Sequence, residues 1–193
     1  MVSVANATLP KIAIPQLIDP NGKPTLAQPQ GEEPANPLAQ PDGDDDSADA
    51  TPAIKAGGDL PAMVAALRGA EAGGRELECL ATGIYFESKG EPLAGQLAVG
   101  RVIANRAKSG RFASTYCGVL FQRGQFSFIR GHSLPSVTHS NRQWQNAVAL
   151  AKIVDQKLHE SVVGNALFFH AKRVSPGWGL KRVASIGNHI FYR

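Results

Sequence analysis

Nine of the thirteen prolines fall in residues 1–59, which confines any packed core to residues 60–193. The early segment also carries the acidic run Asp42-Gly43-Asp44-Asp45-Asp46. A stretch of this composition buries too little apolar surface to offset its ordering entropy. Residues 1–59 therefore read as a disordered, Pro-rich acidic tail or tether, and 60–193 as a single domain of ordinary size. The tail holds nine acids against three lysines, and the remainder seventeen Lys and Arg against seven acids. The formal charge of +4 thus hides a tail of −6 and a domain of +10.

A positive domain favours an anionic partner: nucleic acid, an anionic membrane surface, or a carboxylate-bearing polymer such as bacterial cell wall. The basic residues are scattered and no common nucleic-acid motif appears, which argues against nucleic acid. No run of about eighteen apolar residues marks a transmembrane segment. Met1 to Pro10 lacks a charged n-region and an apolar h-region, so export would require a processed or reassigned start. Cys79 and Cys117 have no metal-site spacing. In an oxidising compartment they would pair, closing a loop of roughly forty residues and adding on the order of 2–4 kcal/mol. Two buried free thiols are the equal alternative.

Within the domain, Asp59 is placed to cap a short helix with Pro61 in its first turn and Met63, Val64 and Leu67 on its apolar face, ending near Gly73-Gly74. Leu77, Leu80, Ala81, Ile84 and Tyr85 then recur at helical spacing, predicting a helix over about 75–88. Gly90 and Pro92 break it. Pro92 suits the first turn of a third helix to about Lys108, with Val99, Val102, Ile103 and Arg106 along one side. A helical turn is expected around 114–120 and a fourth helix over about 141–158, with Trp144, Ala147, Val148, Ala151, Val154 and Leu158 on one face. Residues 166–170 and 190–192 read as two short aromatic strands of a small antiparallel hairpin flanking the turn-rich Pro176-Gly177-Trp178-Gly179. The class is α+β, mostly helical.

Glu87 continues the stripe of the second helix, three residues past Ile84. A carboxylate half-buried there has its charged form disfavoured, which raises its pKa toward that of a general acid at neutral pH. Glu91 lies a turn further on, but the Gly/Pro break keeps the two acids off one regular helix. The bland alternative is that Glu87 caps a helix end or forms an ion pair. No GxGxxG, Walker loop, HExxH or GxSxG is present. The five histidines are irregularly spaced, so neither a metal site nor any cofactor is expected. His170 and His189 are the two placed to approach each other across the hairpin.

Tyr85-Phe86-Glu87-Ser88-Lys89-Gly90-Glu91-Pro92, Gly95-Gln96-Leu97-Ala98-Val99, Asn105-Arg106, Gln125-Phe126-Ser127, Phe168-Phe169-His170-Ala171, Trp178 and Ile186-Gly187-Asn188-His189-Ile190-Phe191-Tyr192 together resemble the SleB/CwlJ cell-wall hydrolase family over about residues 75–193. Ser88-Lys89 stands where many members have Ala-Arg. The tail has no counterpart of the cell-wall-binding domain of the spore enzymes. The resemblance implies a lysozyme/transglycosylase-like catalytic domain with one essential glutamate, acting on peptidoglycan glycan strands between N-acetylmuramic acid and N-acetylglucosamine. It also implies a cell-envelope or periplasmic location.

The residues and the resemblance agree on Glu87 as general acid and then base. Glu91 is its rival for catalysis, with a salt bridge to Lys89 or Arg106 as its structural alternative. Ser88, Gln125, Ser127 and His170 are candidates for binding sugar, the last three through hydrogen bonds to sugar or by orienting Glu87; the equal alternatives are Gln125 as a turn residue and His170 as a satisfied strand-end group. Trp178 and Tyr192 are candidates for stacking on sugar faces, although aromatics in a small domain more often serve as core. Two other function classes remain open: an N-acetylmuramoyl-L-alanine amidase, which needs histidine ligands, and a non-catalytic cell-wall binding module.

Overall fold

The computed structural model describes residues 56–193, and the tail expected over 1–59 lies almost wholly outside the described residues. Five helices, α1 Leu60–Leu67, α2 Arg75–Ser88, α3 Leu93–Lys108, α4 Tyr116–Phe121 and α5 Arg142–Asp155, precede three strands, β1 Phe168–Ala171, β2 Arg182–Ile186 and β3 His189–Tyr192. The domain is α+β and mostly helical. Its folded part begins a little ahead of residue 60, since the Gly57 amide donates to the Leu158 carbonyl and Asp59 caps α1 by accepting from the Ala62 amide.

α1 is shorter than its sequence suggests. Arg68 is extended and Gly69 has φ +93°, so the chain leaves the helix after Leu67 rather than near Gly73-Gly74. The side chain of Arg68 then donates to Asn146 Oδ1 on α5, at 2.9 Å. α5 likewise stops at Asp155, because Lys157 adopts φ +56°. Leu158 lies past its end, with its amide on the Ile153 carbonyl.

α2 is central, packing on α3, α4 and α5. Cys79 to Ile84 are buried without interruption, so more than the expected stripe is covered. Thr82 and Gly83 permit this: the Thr82 hydroxyl is satisfied by the Glu78 carbonyl, and at Gly83 a Cβ would meet Ile103 Cδ1 at 2.6 Å. Leu80, Ile84, Leu97, Ile103, Leu120, Leu150 and Ile153 are fully buried, and Phe191 of β3 joins the same core. Cys79 and Cys117 are disulfide-bonded, tying α2 to α4.

The sheet has three strands, in the order β1-β3-β2, where the sequence reading gave two. The expected pair is present, with Phe169 opposite Phe191 and Ala171 opposite His189. The added strand β2 pairs with β3 across the two-residue turn Gly187-Asn188, with a bulge between Arg182 and Ala184. That bulge breaks the two-residue alternation by which a strand shows itself in sequence.

Candidate active site

The last turn of α2 sets Glu87 at the edge of the helical core. Ser88 turns inward there, its buried hydroxyl donating to the Ile84 carbonyl at 2.7 Å. Lys89 closes the helix with its amide on the Tyr85 carbonyl, and Gly90-Glu91-Pro92 bends the chain into α3. The two acids therefore stand on different elements, Glu87 in α2 and Glu91 in the bend.

Glu87 opens into a hollow of about 390 Å³ lined by Phe86, Phe128, Phe169, His170 and His189. Phe86 stacks on Phe128 at 4.9 Å between centroids. Arg106, Gln125, Ser127 and Arg173 also line this hollow, and Glu87 is the one carboxylate among its lining residues. Burial holds the Glu87 carboxyl above its ordinary value of 4.5, while the charge of Arg106 acts in the opposite direction. Among the described residues no ion pair within 4.0 Å joins Glu87 to Arg106. A carboxyl that keeps its proton is an acid; once it loses that proton beside a cation, it is a base.

Arg106 is itself almost fully buried, and desolvation brings its guanidinium down to about 10 against the raising effect of Glu87. Its Nε donates to the Leu167 carbonyl at 2.8 Å, and the group lies 5.0 Å from the Phe112 ring centroid. These contacts link α3 to the start of β1 and fix a positive charge in the floor of the hollow.

Of the residues expected at the site, Gln125, Ser127 and His170 share the hollow with Glu87. Trp178 and Tyr192 line an adjoining hollow that also includes His170. Trp178 further borders a third, of about 570 Å³, shared with Arg106, Gln125 and Phe169. The hollows of Glu87 and of Phe168 share Arg106, Gln125 and Phe169, and those of Glu87 and Tyr192 share His170; the three neighbouring hollows are together called the trough. The His170 Nδ1 lies 2.9 Å from the Ala171 carbonyl, which can only accept, so that nitrogen carries a proton. In the neutral ring Nε2 then accepts from the Tyr192 hydroxyl, also at 2.9 Å. Trp178, 43% exposed, stands edge-on to the His170 and Tyr192 rings.

Ser88 and Glu91 do not line the hollow. Ser88 is buried against its own helix. Glu91 bonds neither Lys89 nor Arg106; it accepts from the Asn188 amide at 2.8 Å and from Asn188 Nδ2 at 3.1 Å. Arg106 and His189 also line the hollow; the sequence places Arg106 on a helix face and His189 near His170, but assigns neither a role at the site. Arg106 was legible as a lone cation continuing a buried helix face, and His189 as the residue alternating with buried Phe191 along β3.

A separate cavity of about 410 Å³, between residues 69–75 and the first turns of α5, shares no lining residue with this trough. Among the described residues no three His, Cys, Asp or Glu side chains gather as metal ligands would.

Residues 90–192 match the model of a family described as cell wall hydrolase, more than half of the chain. Glu91 falls within that match, and Glu87 lies just ahead of it. The chain is 31% identical over 121 residues to the spore cortex-lytic enzyme of Oceanobacillus iheyensis, covering 60% of this chain and 41% of that protein. It is 29% identical over 119 residues to the spore cortex-lytic enzyme of Bacillus cereus, covering 60% and 43%. It therefore spans less than half the length of these relatives. Among solved structures, the catalytic domain of the germination-specific lytic transglycosylase SleB from Bacillus anthracis is 30% identical over 61% of this chain and 93% of that one, with a TM-score of 0.49.

Proposed function

The chain belongs to the cell wall hydrolase family, and from that premise we propose that it cleaves peptidoglycan glycan strands between N-acetylmuramic acid and N-acetylglucosamine, as a lytic transglycosylase with Glu87 as its single acid/base. The observation that carries this reading is the lone raised carboxyl in a trough whose other charged groups are cationic or imidazole. Protonated Glu87 gives its proton to the glycosidic oxygen as the bond to muramic C1 breaks and positive charge develops on the sugar. The resulting carboxylate takes the proton of the muramic 6-hydroxyl, whose oxygen bonds to C1. The products are an anhydro sugar and a free 4-hydroxyl, and Glu87 ends protonated as it began.

Arg106 stabilises the carboxylate between the two steps, when Glu87 is charged. Gln125, Ser127 and His170 offer hydrogen bonds to sugar, and Trp178 and Tyr192 offer aromatic faces and edges along the trough. The Cys79–Cys117 bond suits the oxidising conditions of an extracytoplasmic site, so action in the cell envelope or periplasm is part of the proposal.

Digestion of purified sacculi followed by mass spectrometry tests it. The wild type should release 1,6-anhydromuramyl products and Glu87→Gln none. Reducing-end muramic acid in their place would turn the reading to a hydrolytic muramidase, and free peptides with intact glycan would turn it to an amidase. Release by Glu87→Gln at the wild-type rate would remove Glu87 from the chemistry.

A further inference from the structure

Glu91 occupies a place shaped around it. Its backbone carbonyl accepts from Gln96 Nε2 at 2.8 Å, fixing the bend to the first turn of α3. Its carboxylate, 9% exposed, receives both Asn188 donors and lies against the β2–β3 turn. At Gly187, where φ is +52°, an added Cβ would collide with Glu91 Oε2. The turn is thus open at the point where the carboxylate enters. A side chain other than hydrogen there would meet both strain and a clash.

The next residue after Asn188 is His189, which is buried and lines the hollow of Glu87. Its Nδ1 is buried without a hydrogen-bond partner, and the group it faces is Glu91 Oε1 at 3.9 Å. A carboxylate oxygen can only accept, so it favours the ring form with its proton on Nδ1. Burial and the neighbouring His170 oppose the doubly protonated ring, while Glu91 favours it. In the neutral ring a proton on Nδ1 leaves Nε2 with a lone pair.

Resting on the reading of the trough as a glycan site, we propose that Glu91 is a positioning residue: facing Nδ1, it holds His189 in the Nδ1-protonated form, so that Nε2 accepts a hydrogen bond from a hydroxyl or acetamido N–H of the bound glycan. Glu91 then acts on the reaction through His189 and supplies no proton itself. This explains how a second acid beside the bend serves the same site without lining it.

The full chain with 15N-labelled histidine tests the proposal through two-bond proton–nitrogen correlation spectra near neutral pH. His189 should show the neutral, Nδ1-protonated pattern; a ring protonated on Nε2 would overturn the proposal without any variant. In Glu91→Gln the new amide can donate to Nδ1, so the ring should switch to the Nε2-protonated form, and kcat/KM on sacculi should fall about tenfold, as for one lost hydrogen bond in the transition state. Gly187→Ala, which displaces the carboxylate, should lower kcat/KM in the same direction. His189→Phe should show a similar loss, with no further loss when combined with Glu91→Gln. Full additivity of those two variants, or loss of activity in Glu91→Gln with the wild-type ring form retained, would sink the idea. Abolition by Glu91→Gln equal to that by Glu87→Gln would make Glu91 a chemical group instead. Glu87→Gln should leave the His189 spectrum as in the wild type, so failure of the acid/base assignment is read separately from failure here.

Discussion

Glu87 and Arg106 face one hollow with opposite charges, yet burial dominates both: the carboxyl is held up and the guanidinium brought down to about 10. The acid form is therefore populated to higher pH than an exposed glutamate allows; under the proposed mechanism, whose first step uses that form, activity should fall as pH rises through the raised value. Arg106→Met keeps an apolar stem but removes the charge that favours the carboxylate. Its alkaline limb should move to higher pH, measured as kcat/KM against pH, and the unpaired Leu167 carbonyl should cost about 1–3 kcal/mol of stability. Glu87 also links pH to stability. Its folded value lies above the ordinary 4.5, so the native state holds the proton more tightly; the stability this confers is full below 4.5 and lost as pH rises through the folded value. Glu87→Gln removes that slope. At this scale the acid was legible because its position continued a buried stripe before a break. Arg106 was equally placed by its spacing, but a cation on an apolar face gains meaning only when the hollow in front of it is seen.

The helices cross tightly because glycine admits their neighbours, and this sets the position of the α2 end that carries Glu87. At Gly100 of α3 a Cβ would meet Ile84 Cδ1 at 2.7 Å and Val154 Cγ2 at 3.2 Å, so three helices converge there. Gly100→Ala gains up to about 1 kcal/mol of helix propensity, but overpacking costs about 1–3 kcal/mol. A net loss is expected in the denaturant midpoint. Gly90 is the contrasting case, with nothing within 4 Å of an added Cβ. Gly90→Ala should be neutral or stabilising, since it only restricts the unfolded chain. The Cys79–Cys117 bond spans 38 residues of sequence and ties α2 to α4; replacing both cysteines by alanine should lower stability by about 2–4 kcal/mol by the same measurement. The long helices were legible from periodicity, whereas their ends depended on backbone choices at Arg68, Gly69 and Lys157. β2 escaped because Arg182 and Val183 are exposed and the bulge spoils alternation, although the following Gly187-Asn188 is a two-residue hairpin turn.

Across the whole molecule the charge is divided unevenly, +10 over residues 60–193 against −6 over 1–59. The carboxylates of peptidoglycan stem peptides would feel the positive domain at long range, and that attraction accelerates encounter more than it strengthens the final contacts. Screening shortens its reach to about 8 Å at physiological salt and about 3 Å at 1 M. The second-order rate on intact sacculi should therefore fall steeply as salt rises, with the maximal rate much less affected, because the chemistry proposed for Glu87 would take place within its hollow. The control is the same substrate with its carboxylates amidated. If attraction to those groups drives encounter, amidated sacculi should be cleaved more slowly at low salt and should show little salt dependence. Equal salt dependence on both substrates would place the effect within the enzyme, and the charge asymmetry would then have no part in finding the wall.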